Sequence, residues 1–315
     1  MTKIKPIQGM TTPRFADIAT FFRLPVIKDL SKIDYCICGI PWDGGTTNRP
    51  GARHGPREVR SASSLIRLYH PVSLKSPYDH FNIADIGDCP VNPADLQDSL
   101  NKIESFYEKI KNANVIPLSI GGDHLVSLPI LRALAKDEPV ALFQFDSHSD
   151  TWDSYFGGYK YTHGTPFRRA IEENLINPKK YVMLGLRGSL YDPKDFDWAR
   201  DQGVTIITID EYYKMGIEKT MNIVKEVLGD SKTYLTFDID GIDPTFAPGT
   251  GTPEVGGFNV RESQLIIRSL NEINFIGADV VEVSPPFDIN NMTSLVGATM
   301  AFEILCSMTK TSKLL

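Results

Sequence analysis

The chain has 315 residues, of which 42% are hydrophobic and 23% charged, a composition that supports a buried core and excludes an intrinsically disordered polypeptide. Its 33 basic and 39 acidic residues give a net charge of −6 with no block of Lys or Arg, so neither nucleic acid nor an anionic membrane is expected as a partner. No apolar run approaches the roughly 18 residues that span a bilayer, and the segment from Met1 to Met10 lacks the apolar stretch of a secretory signal, so a cytoplasmic location is expected.

Residues 1–33, with Pro13, Phe15, Phe21, Phe22 and Pro25, have the character of an N-terminal arm that packs on a core or on a neighbouring subunit, and residues 34–315 read as one domain. From Asp34 onward short apolar runs alternate with stretches of helical period, which predicts an α/β fold with a mostly parallel sheet covered by helices. The strands are predicted at Tyr35 to Ile40, Val115 to Ser119, Ala141 to Asp146, Tyr181 to Leu186, Val204 to Ile209, Tyr234 to Asp238 and Ala278 to Val283. The clearest helices are predicted at Leu96 to Lys111, His124 to Ala135, Glu218 to Leu228, Arg261 to Leu270 and Thr293 to Met308, the last with Thr293 as its cap and one apolar face. Cys36, Cys38, Cys89 and Cys306 form no Cys-x-x-Cys pair and are expected to be buried free thiols.

Three of these strands end in polar clusters, and open α/β sheets bind ligands beyond the carboxyl ends of their strands. One leads into Gly121, Gly122, Asp123 and His124, one into Asp146, Ser147, His148, Ser149 and Asp150, and one into Asp238, Ile239, Asp240 and Gly241. Alternation along an extended chain puts Asp146 beside His148 and Asp238 beside Asp240, with Asp150 able to curl back. Crowded carboxylates at an apolar strand end need compensating positive charge, and these segments contain no Lys or Arg. Divalent cations satisfy that need, and Asp oxygens with His nitrogens and no thiolate suit Mn²⁺, with Ni²⁺, Co²⁺ or Fe²⁺ as further options. Any one segment alone is more often a capping Asp or a core His than a ligand site; it is the three together that point to two metal ions.

In order, SIGGDH (Ser119 to His124), FDSHSD (Phe145 to Asp150), HGTPF (His163 to Phe167), TFDIDGIDP (Thr236 to Pro244), PGTGTPEVGG (Pro248 to Gly257) and VEVSPPFD (Val281 to Asp288) make the chain resemble the ureohydrolases, the family of arginases, agmatinases and guanidino-acid hydrolases, from Pro13 to about Met308. The resemblance implies a three-layer α/β/α sandwich with an eight-stranded sheet, assembled into trimers or hexamers. It assigns one metal to His124, Asp146, Asp150 and Asp238 and the other to Asp146, His148, Asp238 and Asp240. The ion pair would acidify a shared water for attack on a guanidinium carbon. Asp150 would relay a proton to the departing amine, His163 would shuttle it to solvent, and Glu282 would pair with the guanidinium.

Within the family, the segments Pro41 to Arg60, Tyr155 to Gly157 and His163 to Ala170 are most similar to the guanidinopropionase type, then to the guanidinobutyrase type. The implied substrate is 3-guanidinopropionate or 4-guanidinobutyrate, with agmatine or free guanidine as alternatives. Ser147, where Ala is usual, is expected to add a hydrogen bond behind the ligands, and Trp152 to narrow the pocket beside Tyr155. Asn48, Arg49 and Arg53 are candidates for the far end of the substrate, and Asp243 is expected to be a turn former. Two further readings are a metal-binding scaffold without turnover and a single-zinc deacetylase of similar architecture.

Overall fold

The computed structural model describes residues 3–313. One sheet organises them, with strands β1 (Tyr35–Gly39), β2 (Ile83–Asp88), β3 (Ile116–Ile120), β4 (Val140–Phe145), β5 (Ile176–Leu186), β6 (Thr205–Thr208), β7 (Thr233–Asp238) and β8 (Phe275–Val281). Their order across the eight-stranded sheet is β2-β1-β3-β8-β7-β4-β5-β6, and every ladder is parallel. Helices cover both faces, so the central strands are buried on both sides; β4 and β7 are buried along their whole length, and β4 is apolar at every position but Gln144. Phe145 and Phe237 stack across this pair, ring centroids 4.3 Å apart.

All seven predicted strands are present, with ends shifted by a few residues. The strand predicted to reach Val283 stops at Val281, because Glu282 takes a left-handed backbone with φ of 62°. Strand β2 has no apolar run to betray it: it is an edge strand, and its Asp85 takes the amide of Phe21 and the Arg60 guanidinium.

Helices at Gly55–Ala62, Pro166–Glu172, Asp197–Gln202 and Ile209–Met215 are too short to show a helical period. The segment predicted as a helix from His124 opens as a 3-10 turn, His124–Val126, capped by the Asp123 carboxylate, and becomes α-helical at Ser127–Leu134.

The last helix, Met292–Met308, corrects two expectations. Thr293 does not cap it: the Thr293 hydroxyl accepts from Gly249, and the Asp288 carboxylate accepts from the amides of Thr293 and Ser294. Nor does it show one apolar face, since it is buried nearly all round, between β8 and the helices Gly55–Ala62 and Val260–Ser269. In the arm, Phe21 and Phe22 enter the core while Met10, Phe15 and Ile18 are exposed. All four cysteines are buried and free.

Candidate active site

The four central strands in sheet order, β3, β8, β7 and β4, are the ones whose carboxyl ends carry the polar residues. The ladders pair Ile120 with Val280, Val280 with Phe237, and Phe237 with Phe145. Gly121, Val281, Asp238 and Asp146 therefore leave the sheet at one level. The chain reaches β4 from β3 by crossing the places that β7 and β8 later fill, a reversal that opens a crevice above these strand ends. Gly122 is required there, since a Cβ at that position would overlap the Trp42 carbonyl.

Six ligand-type side chains converge. Nδ1 of His124 lies 3.1 Å from Asp146 Oδ2, 2.9 Å from Asp150 Oδ2 and 3.1 Å from Asp238 Oδ2. Nδ1 of His148 lies 3.1 Å from Asp240 Oδ2 and 3.7 Å from Asp146 Oδ1. His124, Asp146 and Asp150 make one metal-competent group and Asp146, His148 and Asp240 a second, with Asp146 common to both. The predicted curl of Asp150 is real: its φ of 50° turns the carboxylate back onto His124. Hydrogen bonds from the chain hold these carboxylates in place. Asp146 accepts from the His148 amide at 2.7 Å and from Gln144 Nε2 at 2.7 Å, Asp238 from the Asp240 amide at 2.8 Å, and Asp240 from the Ser147 hydroxyl at 2.7 Å.

Hydrogen bonding behind His124 fixes which of its nitrogens faces the cluster. Asp279 is buried and accepts the hydroxyls of Thr236 at 2.6 Å, Ser127 at 2.6 Å and Tyr234 at 2.8 Å. With its proton given to Asp279, the Thr236 oxygen can only accept from His124 Nε2–H, 2.7 Å away. Nδ1 therefore presents a lone pair to three carboxylates, and although they lie close it is a buried nitrogen without a hydrogen-bond partner. A lone pair and three carboxylate oxygens around one point suit a divalent cation, and the absence of thiolate suits a hard or borderline one.

Electrostatics agree. Burial, then the Asp150 and Asp240 charges, push Asp146 up to about 7, and burial with Asp240 and Asp146 raises Asp238 well above the carboxylate range. Burial acts against charge on His124 and His148 too, but the surrounding carboxylates outweigh it and raise both. Protonating both rings would leave four carboxylates facing two positive charges, and the proton on His124 would have to occupy the nitrogen that has no hydrogen-bond geometry. Metal ions answer both problems, so the residues fit a metal centre.

Beside the cluster, Glu282 Oε1 accepts from the His124 amide at 2.9 Å and from His163 Nδ1 at 2.8 Å. Its Oε2 is buried with no partner. His163 Nε2 accepts from the Thr47 amide at 3.1 Å and lies 2.8 Å from the Thr47 hydroxyl, which draws the ring as its neutral Nδ1–H tautomer. Burial opposes charge on His163, and the Glu282 carboxylate outweighs it, lifting the ring to about 9. The Thr47 amide acts in the other direction. Glu282 holds its position through a left-handed backbone, costing ~1–3 kcal/mol for a residue of this type. These side chains form the floor of a cavity of about 730 Å³.

Residues 33–307 match the Arginase family. The chain belongs to that family. It is 53% identical to a guanidinopropionase of Pseudomonas aeruginosa, over 98% of this chain and 97% of that protein. It is 44% identical to a guanidinobutyrase of the same organism, over 96% of each. Among solved structures, the proclavaminate amidinohydrolase of Streptomyces clavuligerus superposes with a TM-score of 0.91 at 39% identity, covering 95% of this chain and all of that one.

In this arginase-family chain the cavity brings together His148, Asp150, Asp238, Asp240, His163 and Glu282 with Asn48, Tyr155 and Trp152, while His124 and Asp146 lie buried just behind. Trp152 forms part of the cavity wall, its indole edge-on to Tyr191 with ring centroids 5.5 Å apart. Arg49 lines the cavity, but its Nε and Nη2 donate to the carbonyls of Gly251 and Thr250 and its guanidinium lies over Phe287. Arg53 is not part of the lining; it pairs with Asp43. Ser147 makes the expected bond, and Asp243 staples its loop by accepting from Thr245, Gly256 and Gly257.

Sequence reasoning missed Gln144, Thr236 and Asp279, which orient ligands. Gln144 and Asp279 carried a signal, each being the one polar residue of an otherwise apolar strand; Thr236, in a strand that also holds Thr233 and Asp238, carried none. Asp123, to which the sequence assigns no role, is buried, and its carboxylate accepts from the Gly45 amide at 2.7 Å, tying down the loop that carries Thr47.

Proposed function

We propose that the chain is a binuclear-metal ureohydrolase that cleaves the guanidino group of a short guanidino acid, 3-guanidinopropionate first and 4-guanidinobutyrate next, to urea and an amine. The observation that carries the reading is the cavity floor, where two metal-competent groups share Asp146 and a buried, unpartnered Glu282 oxygen lies beside them. The names of the relatives support the substrate class. His124, Asp146, Asp150 and Asp238 would hold one ion and Asp146, His148, Asp238 and Asp240 the other, Mn²⁺ by donor chemistry with Ni²⁺ or Co²⁺ as alternatives. When bound, two such ions lower the pKa of a shared water and supply a nucleophile near neutral pH.

The chain's own groups do the rest. Glu282 Oε2 takes two charge-assisted N–H contacts of the guanidinium and fixes the plane of its carbon. Asp150 would relay to the departing nitrogen the proton that the attacking water gives up, and His163 would exchange protons with the cavity. Asn48, Tyr155 and Trp152 would shape the far end of the pocket, where the substrate carboxylate sits. We extend the proposal to a trimer or hexamer, with Met10, Phe15 and Ile18 of the arm as apolar surface for a neighbouring subunit.

Urea release tests the reading, measured on 3-guanidinopropionate, 4-guanidinobutyrate, agmatine, arginine and guanidine after separate reconstitution with Mn²⁺ and Ni²⁺. Turnover of the guanidino acids is expected. Turnover of agmatine alone would replace the acid assignment, and inactivity on every compound would favour a metal-binding scaffold.

A further inference from the structure

Thr47 stands outside the ligand set and outside the roles drawn so far, yet it meets His163 twice. Its amide lies 3.1 Å and its hydroxyl 2.8 Å from Nε2. The amide N–H can only donate, so it requires a lone pair on Nε2. A charged ring would carry a proton there, and the amide would then face N–H against N–H in a pocket where His163 is 7% exposed. The hydroxyl is the one group at Nε2 able to do both things, since it can donate a hydrogen bond or accept one by rotating.

We propose that Thr47 is a positioning residue for proton exchange at His163, its hydroxyl donating to Nε2 of the neutral ring and turning to accept from Nε2–H of the charged one. The proton comes from a solvent or buffer acid in the cavity and is bound by the Nε2 lone pair; Thr47 keeps its own hydroxyl proton and only rotates. The inference rests on the proposed function insofar as His163 exchanges protons during turnover. Glu282 on Nδ1, with Asp123 and Asp150 further off, sets how readily the ring takes a proton, and the Tyr155 ring lies over the neighbouring Gly164. Thr47 sets whether the charged ring has a partner. Asp123 holds the Thr47 loop from below through Gly45, and the Gly45 carbonyl in turn accepts from the His163 amide at 2.9 Å. The hydroxyl therefore works against a fixed ring.

The test compares Thr47→Val, which keeps shape and amide, with Thr47→Ser, which restores the hydroxyl, in the full-length metal-loaded protein. Two readouts are recorded as functions of pH: thermal unfolding and the kinetics of urea release. Thr47→Val is expected to lose stability relative to wild type progressively as pH falls through the His163 titration, because its charged ring has no acceptor. It is also expected to lower kcat by roughly tenfold or more while leaving KM within about twofold, and Thr47→Ser should recover both. In a His163→Asn background the pH-dependent part of the Thr47→Val effect should vanish. A Thr47→Val penalty that is the same at every pH, or that persists unchanged beside His163→Asn, would overturn the proposal. Wild-type protein that releases no urea would count against the proposed function alone, and the unfolding curves would still decide the role of Thr47.

Discussion

Replacing Glu282 by glutamine changes one atom and leaves every metal-type ligand intact. The amide oxygen of the introduced side chain must stay where two donors point, the His124 amide at 2.9 Å and His163 Nδ1–H at 2.8 Å. Its NH₂ group is then forced into the place of the unpartnered Oε2, where it faces the N–H groups of an incoming guanidinium, donor against donor. The loss is that of one partner from a buried charge pair, ~3–5 kcal/mol. At about 1.4 kcal/mol per tenfold, kcat/KM of Glu282→Gln should fall by roughly 100- to 5,000-fold. Steady-state urea release over a substrate series gives kcat/KM, and metal analysis of the same preparation shows whether the ions stay. A kcat/KM close to that of wild type with normal metal content would refute the assignment of Glu282 Oε2 to the guanidinium.

Ser147→Ala removes the hydroxyl that donates to Asp240 at 2.7 Å but keeps the Ser147 amide, which donates to the same oxygen at 3.2 Å. Metal retention on the His148 side should weaken by about tenfold in a chelator competition titration, and unchanged affinity would show the hydroxyl to be idle. Away from the site, the buried Glu303 carboxylate accepts from Arg268 at 2.5 and 2.9 Å and from His70 at 3.1 Å. Although burial opposes its charge, Arg268 and His70 hold Glu303 below its ordinary range. A depressed carboxylate contributes stability that is present above its unfolded pKa and lost as pH falls through the folded value. Glu303→Gln should therefore cost ~3 kcal/mol near neutral pH, where it strands Arg268, and much less in acid, once the pH has fallen through the depressed folded value and the wild-type group is itself protonated. Denaturant midpoints at the two pH values check this, and an equal penalty at both would contradict it.

How far the sequence carried the fold follows from where each element lies. A buried strand such as Val140–Phe145 announces itself because both faces are covered and every residue but Gln144 is apolar. Ile83–Asp88 at the sheet edge turns its polar residues to Phe21, Arg60 and Gly87 and carries no such run. The Met292–Met308 helix misled for the opposite reason, since burial nearly all round erased the face that marks a surface helix.

The convergence of the six ligand-type residues was legible because strand ends and alternation dictate it. Their support was legible only in part: Gln144 and Asp279 stand out as polar residues within apolar strands, but the bonds from His124 to Thr236 and from Thr236 to Asp279 join segments far apart in sequence. Thr47 was hidden for the same reason, being 116 residues from the ring it meets. The far end of the substrate pocket was the least legible part: Arg53, a candidate by position, turns away to Asp43, and nothing in its local sequence says so.

The central claim is that His and Asp side chains from three strand ends hold two metal ions. It is tested most directly by elemental analysis of protein reconstituted with Mn²⁺ and passed through a desalting column, beside Asp146→Asn, which removes one charge from the residue common to both groups. The account predicts two ions per chain for wild type and a loss of both for Asp146→Asn. One ion or none in the wild type, or a full complement in Asp146→Asn, would contradict it.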